Sequence, residues 1–189
     1  MSFMSDKELQ DIGFRSIGKN VKISCKASIY GAGNISIGSN VRIDDFCVLS
    51  AGSGGIKIGS YIHIAVYSSL IGKEQIELMD FSNLSSRVSI YSSSDDYSGA
   101  FMTNPTVPEI YTGVEHNPVL VGRHVIVGAG SVVLPGVVLG DGVAIGALSL
   151  VTNSCQSFGV YAGIPAKKKS IRKKTLLDLE KEMTQVINH

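Results

Sequence analysis

The sequence predicts an all-β fold, a parallel β-helix built from six-residue repeats, and three observations carry that reading. From Val121 onward an aliphatic residue falls at every sixth position: Val121, Val127, Val133, Leu139, Ile145 and Val151. Ile, Leu and Val make up 52 of the 189 residues, so six consecutive hits at one phase would arise by chance about four times in ten thousand. Earlier in the chain the same spacing forms trios: Ile17, Ile23, Ile29; Ile37, Ile43, Leu49; Ile58, Ile64, Leu70; and Leu78, Leu84, Ile90. Glycine often follows the aliphatic residue (Gly122, Gly128, Gly140, Gly146), and the fifth place of each hexad is small or β-branched, as at Val125, Ser131, Val137, Val143 and Ser149. A period of six excludes an α-helix. It fits a short strand plus a sharp corner, three of which close a triangular coil with the aliphatic residues inside. Such coils stack at about 4.8 Å, with glycine supplying positive φ or close approach at the corners.

Ser5 to Glu8 is a capping-box pattern ahead of Leu9 and Ile12, which predicts a short helix within an N-terminal segment, 1–16. The solenoid is expected over 17–167. Its early coils begin 20 or 21 residues apart, three hexads plus two or three extra residues, placed at the IS-IG, IK-IG and IE-LM steps. After Ile90 the repeat stops, and it resumes near Val119. The intervening segment 92–118 is a long excursion, and long loops in compact folds usually carry function. From Ser170 to Ile187 the apolar residues favour one side, so 168–189 is expected to form a C-terminal helix lying over the solenoid end.

A net charge of +1 gives no global attraction for nucleic acid, although KKKSIRKK (167–174) is a local basic patch. No stretch approaches the roughly 20 apolar residues of a membrane span, and the N-terminus lacks the apolar core of a signal peptide, so a soluble cytoplasmic protein is expected. Cys25, Cys47 and Cys155 form no CxxC pair, which predicts reduced thiols and no zinc site. Cys47 and Cys155 occupy the small fifth place and read as inert core.

The hexads, the phrase VGAGSVVLPGVVLGDGVAIGALSLVT (127–152) and the closing YAGIPAK (161–167) resemble the hexapeptide-repeat acyltransferases. The resemblance covers about residues 17–167 and implies a left-handed β-helix. It also implies acyl transfer from acetyl-CoA or a related thioester without a metal, and a homotrimer with active sites between subunits. Within that family the chain looks most like the bacterial enzymes that acylate sugars for surface polysaccharides such as O-antigen. One departure is Ile164, where the commoner form of the closing motif has asparagine.

In the sugar O-acetyltransferases of this family, a histidine general base sits about five residues past the last aliphatic residue before the excursion. Here that place holds Asp95. A hydroxyl needs a base such as imidazole, whereas an amine with a pKa near 8 is partly neutral at pH 7, and a carboxylate that holds it in line suffices. Asp95 therefore reads as ligand and base for an amine, with Asp96 sharing that role, or as part of an ordinary Ser-Ser-Ser-Asp-Asp turn. His116, in the same excursion, is the rival base or acceptor contact. His63 and His124 read as structural. Ser85, just before the excursion, is placed to donate to the thioester carbonyl or the acceptor. Residues matching the family's donor-binding positions are Ala129, Ala147 and Thr152, with Lys167 and Lys168 near the adenosine phosphate.

These residues imply a CoA-dependent N-acyltransferase acting on a nucleotide-linked amino sugar, such as a dTDP-4-amino-4,6-dideoxyhexose. The nearest alternative is a sugar O-acetyltransferase with His116 as base. A carbonic anhydrase on the same scaffold would need three histidine ligands from neighbouring strands, a set that His63, His116 and His124 do not form by spacing. A non-catalytic solenoid would give the 92–118 excursion no purpose.

Overall fold

The computed structural model describes residues 2–187. Three parallel sheets form the walls of a triangular prism, each built from every third strand of the chain. The first face carries Ser16–Ile17, Ile35–Ile37, Ile56–Ile58, Ile76–Leu78, Val119–Val121 and Val138–Leu139. The second carries Val21–Ile23, Val41–Ile43, Ile62–Ile64, Asn83–Leu84, Ile126–Val127, Ala144–Ile145 and Gly159–Ala162. The third carries Ser28–Tyr30, Val48–Ala51, Ser69–Gly72, Ser89–Tyr91, Val132–Val133 and Leu150–Val151.

The register places like on like. Ile23, Ile43, Ile64, Leu84, Val127 and Ile145 stack as one ladder, and Ile29, Leu49, Leu70, Ile90, Val133 and Val151 as another. Nearly all are buried. The strands that flank the excursion pair directly, Ile76–Leu78 with Val119–Val121 and Ser89–Ile90 with Val132–Val133. The 92–118 segment thus leaves and re-enters without breaking the stack.

Glycine supplies both close approach and, at Gly130, Gly136 and Gly142, positive φ, as expected. Glycines after the aliphatic residue are required by close approach: a Cβ on Gly18 would lie 2.5 Å from the Gly38 carbonyl carbon, and one on Gly128 2.5 Å from the Ala147 amide nitrogen. The left-handed corner conformation falls largely on other residues, including Asn40, Tyr61, Phe81 and His124 at one corner and Phe46, Tyr67 and Arg87 at another. Left-handed backbone costs a non-glycine residue on the order of 1–2 kcal/mol. Stacking of the corner side chains, worth about 0.5–1.5 kcal/mol per ring pair, offsets part of that. Phe46 lies on Tyr67 at 4.9 Å, Tyr61 on Phe81 at 5.0 Å, and Phe81 on His124 at 4.9 Å. The extra residues of the early coils sit in the turns before the first face, such as the short 3₁₀ turn Ala32–Asn34, and not within its strands.

Helix α1 (Asp6–Asp11) starts with the expected capping box, Ser5 and Glu8 each holding the other's backbone N–H, and buries Leu9. The C-terminal segment departs from its predicted helix. Lys167–Ile171 is a strand, antiparallel to Gly159–Ala162 at the open edge of the second face, and only Leu176–Ile187 is helical (α2). An unpaired sheet edge is covered more directly by a strand than by a helix. Helix α2 is tied down by Glu180, which accepts from both Arg123 and His124, the latter through Nε2.

The ladder makes core truncation costly and surface truncation cheap. Ile64→Ala, at a fully buried site, should lose about 2–5 kcal/mol in urea unfolding, whereas Ile110→Ala, 82% exposed in the excursion, should stay within about 0.5 kcal/mol.

Candidate active site

The excursion is tied at its foot by a two-stranded antiparallel ladder, Ser93–Ser94 with Glu115–His116. This brings the two rival groups, Asp95 and His116, to the same place, at the corner between the third and first faces. Asp95 follows the ladder directly and is exposed, and its carboxylate takes no hydrogen bond or ion pair from the described residues. His116 is half-buried, with Nδ1 2.8 Å from Ser93 Oγ.

Asp96, expected to share the role of Asp95, is otherwise occupied. Its carboxylate accepts from the Ser98 hydroxyl (2.7 Å) and from the backbone N–H groups of Ser98 (3.1 Å), Gly99 (2.9 Å) and Phe101 (3.3 Å). These bonds, the Ser98 hydroxyl foremost, hold its pKa below the ordinary value. A carboxylate so engaged is a poor base and a good turn former. Asp96 shapes the loop after Asp95.

Ser85 and the alanines lie at a different corner, between the second and third faces. The Ser85 N–H bonds to the Val127 carbonyl at 2.9 Å, so Ser85 stacks beneath Gly128, while its hydroxyl is unengaged among the described residues. Ala129 and Ala147 follow along the same corner, both exposed, with the Leu148 N–H bonding to the Ala129 carbonyl at 2.8 Å. Lys167 ends the column, paired with Ala162, and Lys168 pairs with Tyr161. Both lysines are exposed and form no ion pair among the described residues. Arg172 of the same basic run donates to the His124 and Gly142 carbonyls, and Lys174 lies over the Phe158 ring. Thr152 is set apart from the alanines: it follows the third face, on the side of Asp95. One chain therefore carries its candidate residues at two separate corners, on either side of its third face.

His63 has a structural partner. His63 Nε2 sits 2.8 Å from the buried Asp44 carboxylate, which also binds Arg42. Burial alone would raise the Asp44 pKa, but its bonds to Arg42 and His63 outweigh that and lower it. Burial pushes the Cys47 and Cys155 thiols up to about 11, whereas Cys25 is exposed. Among the described residues there is no group of three His, Cys, Asp or Glu side chains suited to a metal and no helix long and apolar enough to cross a membrane.

Residues 118–153 match the family model described as bacterial transferase hexapeptide (six repeats). A dTDP-4-amino-4,6-dideoxy-D-glucose acyltransferase from Escherichia coli is 59% identical over 180 residues, covering 95% of this chain and 94% of the relative. The chain belongs to the hexapeptide-repeat acyltransferases. Its coil is the left-handed β-helix of that family. A second member, named for O-acetyl transfer in lipopolysaccharide biosynthesis in E. coli K12, is 32% identical over 71% of this chain and 67% of its own. Among solved members, AntD, an N-acyltransferase from Bacillus cereus in complex with dTDP and 3-hydroxybutyryl-CoA, superposes with a TM-score of 0.95 at 49% identity, covering 100% of this chain and 99% of that one. Other solved forms of AntD carry substitutions at a serine and at an aspartate ten residues after it.

The turn around Asp96 gives this hexapeptide acyltransferase a testable loop. Asp96→Ala should open 97–101 to limited proteolysis and raise the acceptor KM severalfold, with Tm within about 2 °C of wild type. Because its folded-state pKa is lowered, the turn's contribution is complete above the ordinary carboxylate pKa and is lost as pH falls through the lowered value. Proteolysis in this loop should thus stay flat across neutral pH and rise only as pH falls below the ordinary carboxylate pKa.

Proposed function

We propose that this acyltransferase moves an acyl group, acetyl in the simplest case, from a CoA thioester to the 4-amino group of dTDP-4-amino-4,6-dideoxyglucose. Its place would be the cytoplasmic assembly of a surface polysaccharide. The observation that carries the reading is Asp95: an unengaged carboxylate at the foot of the excursion, where a hydroxyl-directed relative is expected to carry histidine. The 59% identity to an enzyme named for that sugar nucleotide supports it. So does the spacing of Ser85 and Asp95, ten residues apart like the serine and aspartate altered in AntD.

The chemistry asks little of the protein beyond placement. The neutral amine attacks the thioester carbonyl, a C–N bond forms, and Asp95 takes the proton released from nitrogen. The C–S bond then breaks and the thiolate leaves, gaining a proton to give free CoA and an amide. Ser85, with its hydroxyl unengaged, is placed to donate to the carbonyl oxygen as charge gathers there. Ala129 and Ala147 leave room and exposed backbone for the pantetheine arm, and Lys167 and Lys168 face the phosphates of the donor. Thr152, on the far side of the third face, meets the donor bound by a neighbouring copy.

That division follows from an assembly in which the third faces of three copies meet. The outward positions of this face are Ser28, Tyr30, Val48, Ser50, Ser69, Ile71, Ser89, Tyr91, Val132 and Leu150, without a charge among them. The other faces carry Lys57 and Glu77, or Lys22, Arg42 and His63. Loss of charge is the compositional mark of an interface core. A three-fold arrangement about the third face brings the Ser85 corner of one copy to the Asp95 corner of the next, so each site is shared.

A thiol-release assay with acetyl-CoA tests the reading. dTDP-4-amino-4,6-dideoxyglucose should turn over, dTDP-glucose and free glycosides should not, and Asp95→Asn should lower kcat by a factor of about 10² or more. Turnover of the hydroxyl acceptors, abolished by His116→Ala but not by Asp95→Asn, would instead establish O-acetylation.

A further inference from the structure

We propose that Ser93 is a positioning residue that fixes His116 in the tautomer carrying its proton on Nε2, so that His116 serves the acceptor as a hydrogen-bond donor and not as a base. The inference rests on the acyl-transfer reading of the excursion and concerns a residue that the sequence pattern did not single out.

Ser93 and His116 face each other across the ladder at the foot of the excursion. The Lys73 backbone N–H donates to Ser93 Oγ at 2.9 Å, and Oγ lies 2.8 Å from His116 Nδ1. A hydroxyl has one proton to give and two lone pairs to accept with. If the Ser93 hydroxyl donates to Nδ1, the Lys73 N–H and the hydroxyl proton both have partners within the cluster, and the one donor left over is the Nε2–H, which a bound acceptor can satisfy. If Nδ1–H donated instead, the Ser93 proton would have none among the described residues. Neutral imidazole accepting at Nδ1 carries its proton on Nε2. That nitrogen makes no hydrogen bond within the described residues, so its N–H is available to a bound acceptor at the foot of the excursion, the segment that also carries Asp95.

The two groups then divide the acceptor between them. Asp95 takes the amine's proton, while the Nε2–H of His116 donates to an oxygen of the same substrate, on either its diphosphate or its sugar. An O-acylating histidine would need the opposite tautomer, with a lone pair on Nε2 to receive the hydroxyl proton. The hydrogen bond from Ser93 withholds that lone pair, which is why His116 can sit beside the reaction without being its base.

Nitrogen-15 spectra of the histidine side chains in ligand-free protein read the tautomer without reference to activity. Wild type should show His116 protonated on Nε2; Ser93→Ala should give a mixture, and Ser93→Thr should restore the wild-type pattern. In kinetics, Ser93→Ala should raise the acceptor KM about tenfold, the loss of one well-placed hydrogen bond, with kcat changed less than about threefold. His116→Gln, whose amide donates from near the Nε2 position, should recover most of what His116→Ala loses. Calorimetry with dTDP alone locates the oxygen: weakened binding in His116→Ala places it on the diphosphate, and weakened binding of the whole sugar nucleotide only places it on the sugar. A wild-type Nδ1–H tautomer, or His116→Gln as impaired as His116→Ala, would overturn the assignment. If wild type acylates no sugar nucleotide, the acyl-transfer reading fails and the tautomer spectra still stand or fall on their own.

Discussion

Each coil must deliver an aliphatic side chain to the same three inward places as the coil below it, at the spacing of one β-strand. The small residues at the fifth places, such as Val88, Val125, Val137 and Val143, fill the rest of the interior of the prism. Its walls are only two to four residues wide, and what keeps them together is the continuous stack of Ile, Leu and Val such as Ile23, Ile43, Ile64, Leu84, Val127 and Ile145. Because the ladder repeats every six residues, the residues between its rungs are pinned in place as well. The one after the rung lies so close to the next coil that a side chain on Gly18 or Gly128 would collide with it. The corner residues two places on stack into columns of rings and amides. The candidate residues are placed by the same register: Ser85 follows the rung Leu84, Ala129 stands two places past Val127, and Ala147 two places past Ile145.

The register also keeps the candidate residues of a single chain in two separate groups. A corner is narrow and exposed, and one triangular coil keeps its corners a face apart. Ser85, Ala129 and Ala147 lie along one corner, while Asp95 and His116 stand at the next, beyond the uncharged third face. A hollow of about 640 Å³ does exist in the chain, but it lies between α1 and the first coil, lined by residues such as Phe3, Leu9 and Lys22, and holds none of the candidate residues. In the proposed assembly, neighbouring corners of two copies would come together to complete the site and bury the charge-free face in one step.

The repeat was legible because it is redundant: some eighteen rungs report the same phase, and errors at a few would not hide it. The interruption at 92–118 was legible for the same reason, and counting past Ile90 reached Asp95. Contacts made within the excursion were not. Nothing in Ser-Ser-Ser-Asp-Asp says that Asp96 turns inward to hold Ser98, Gly99 and Phe101 while Asp95 stays unengaged, or that Ser93 meets His116 across the loop's foot. The strand at Lys167–Ile171 was missed because its partner is the exposed edge of Gly159–Ala162, a vacancy that only the stacked fold creates. The left-handed corners at Tyr61, Phe81 and His124 escaped notice because the residue types there are chosen for stacking and not for backbone freedom.

The shared site is tested most directly by mixing two disabled variants. Ala147→Trp blocks the donor corner at an exposed position, and Asp95→Ala disables the acceptor corner of the next. Copies of the two, denatured together in equal amounts and refolded, should regain about a quarter of wild-type activity, because one pairing of corners in four is then intact. Variants refolded separately and then combined should stay inactive. If the co-refolded mixture is equally inactive while assembling normally, each chain carries its own complete site, and the third face does not divide the catalytic groups between neighbouring copies.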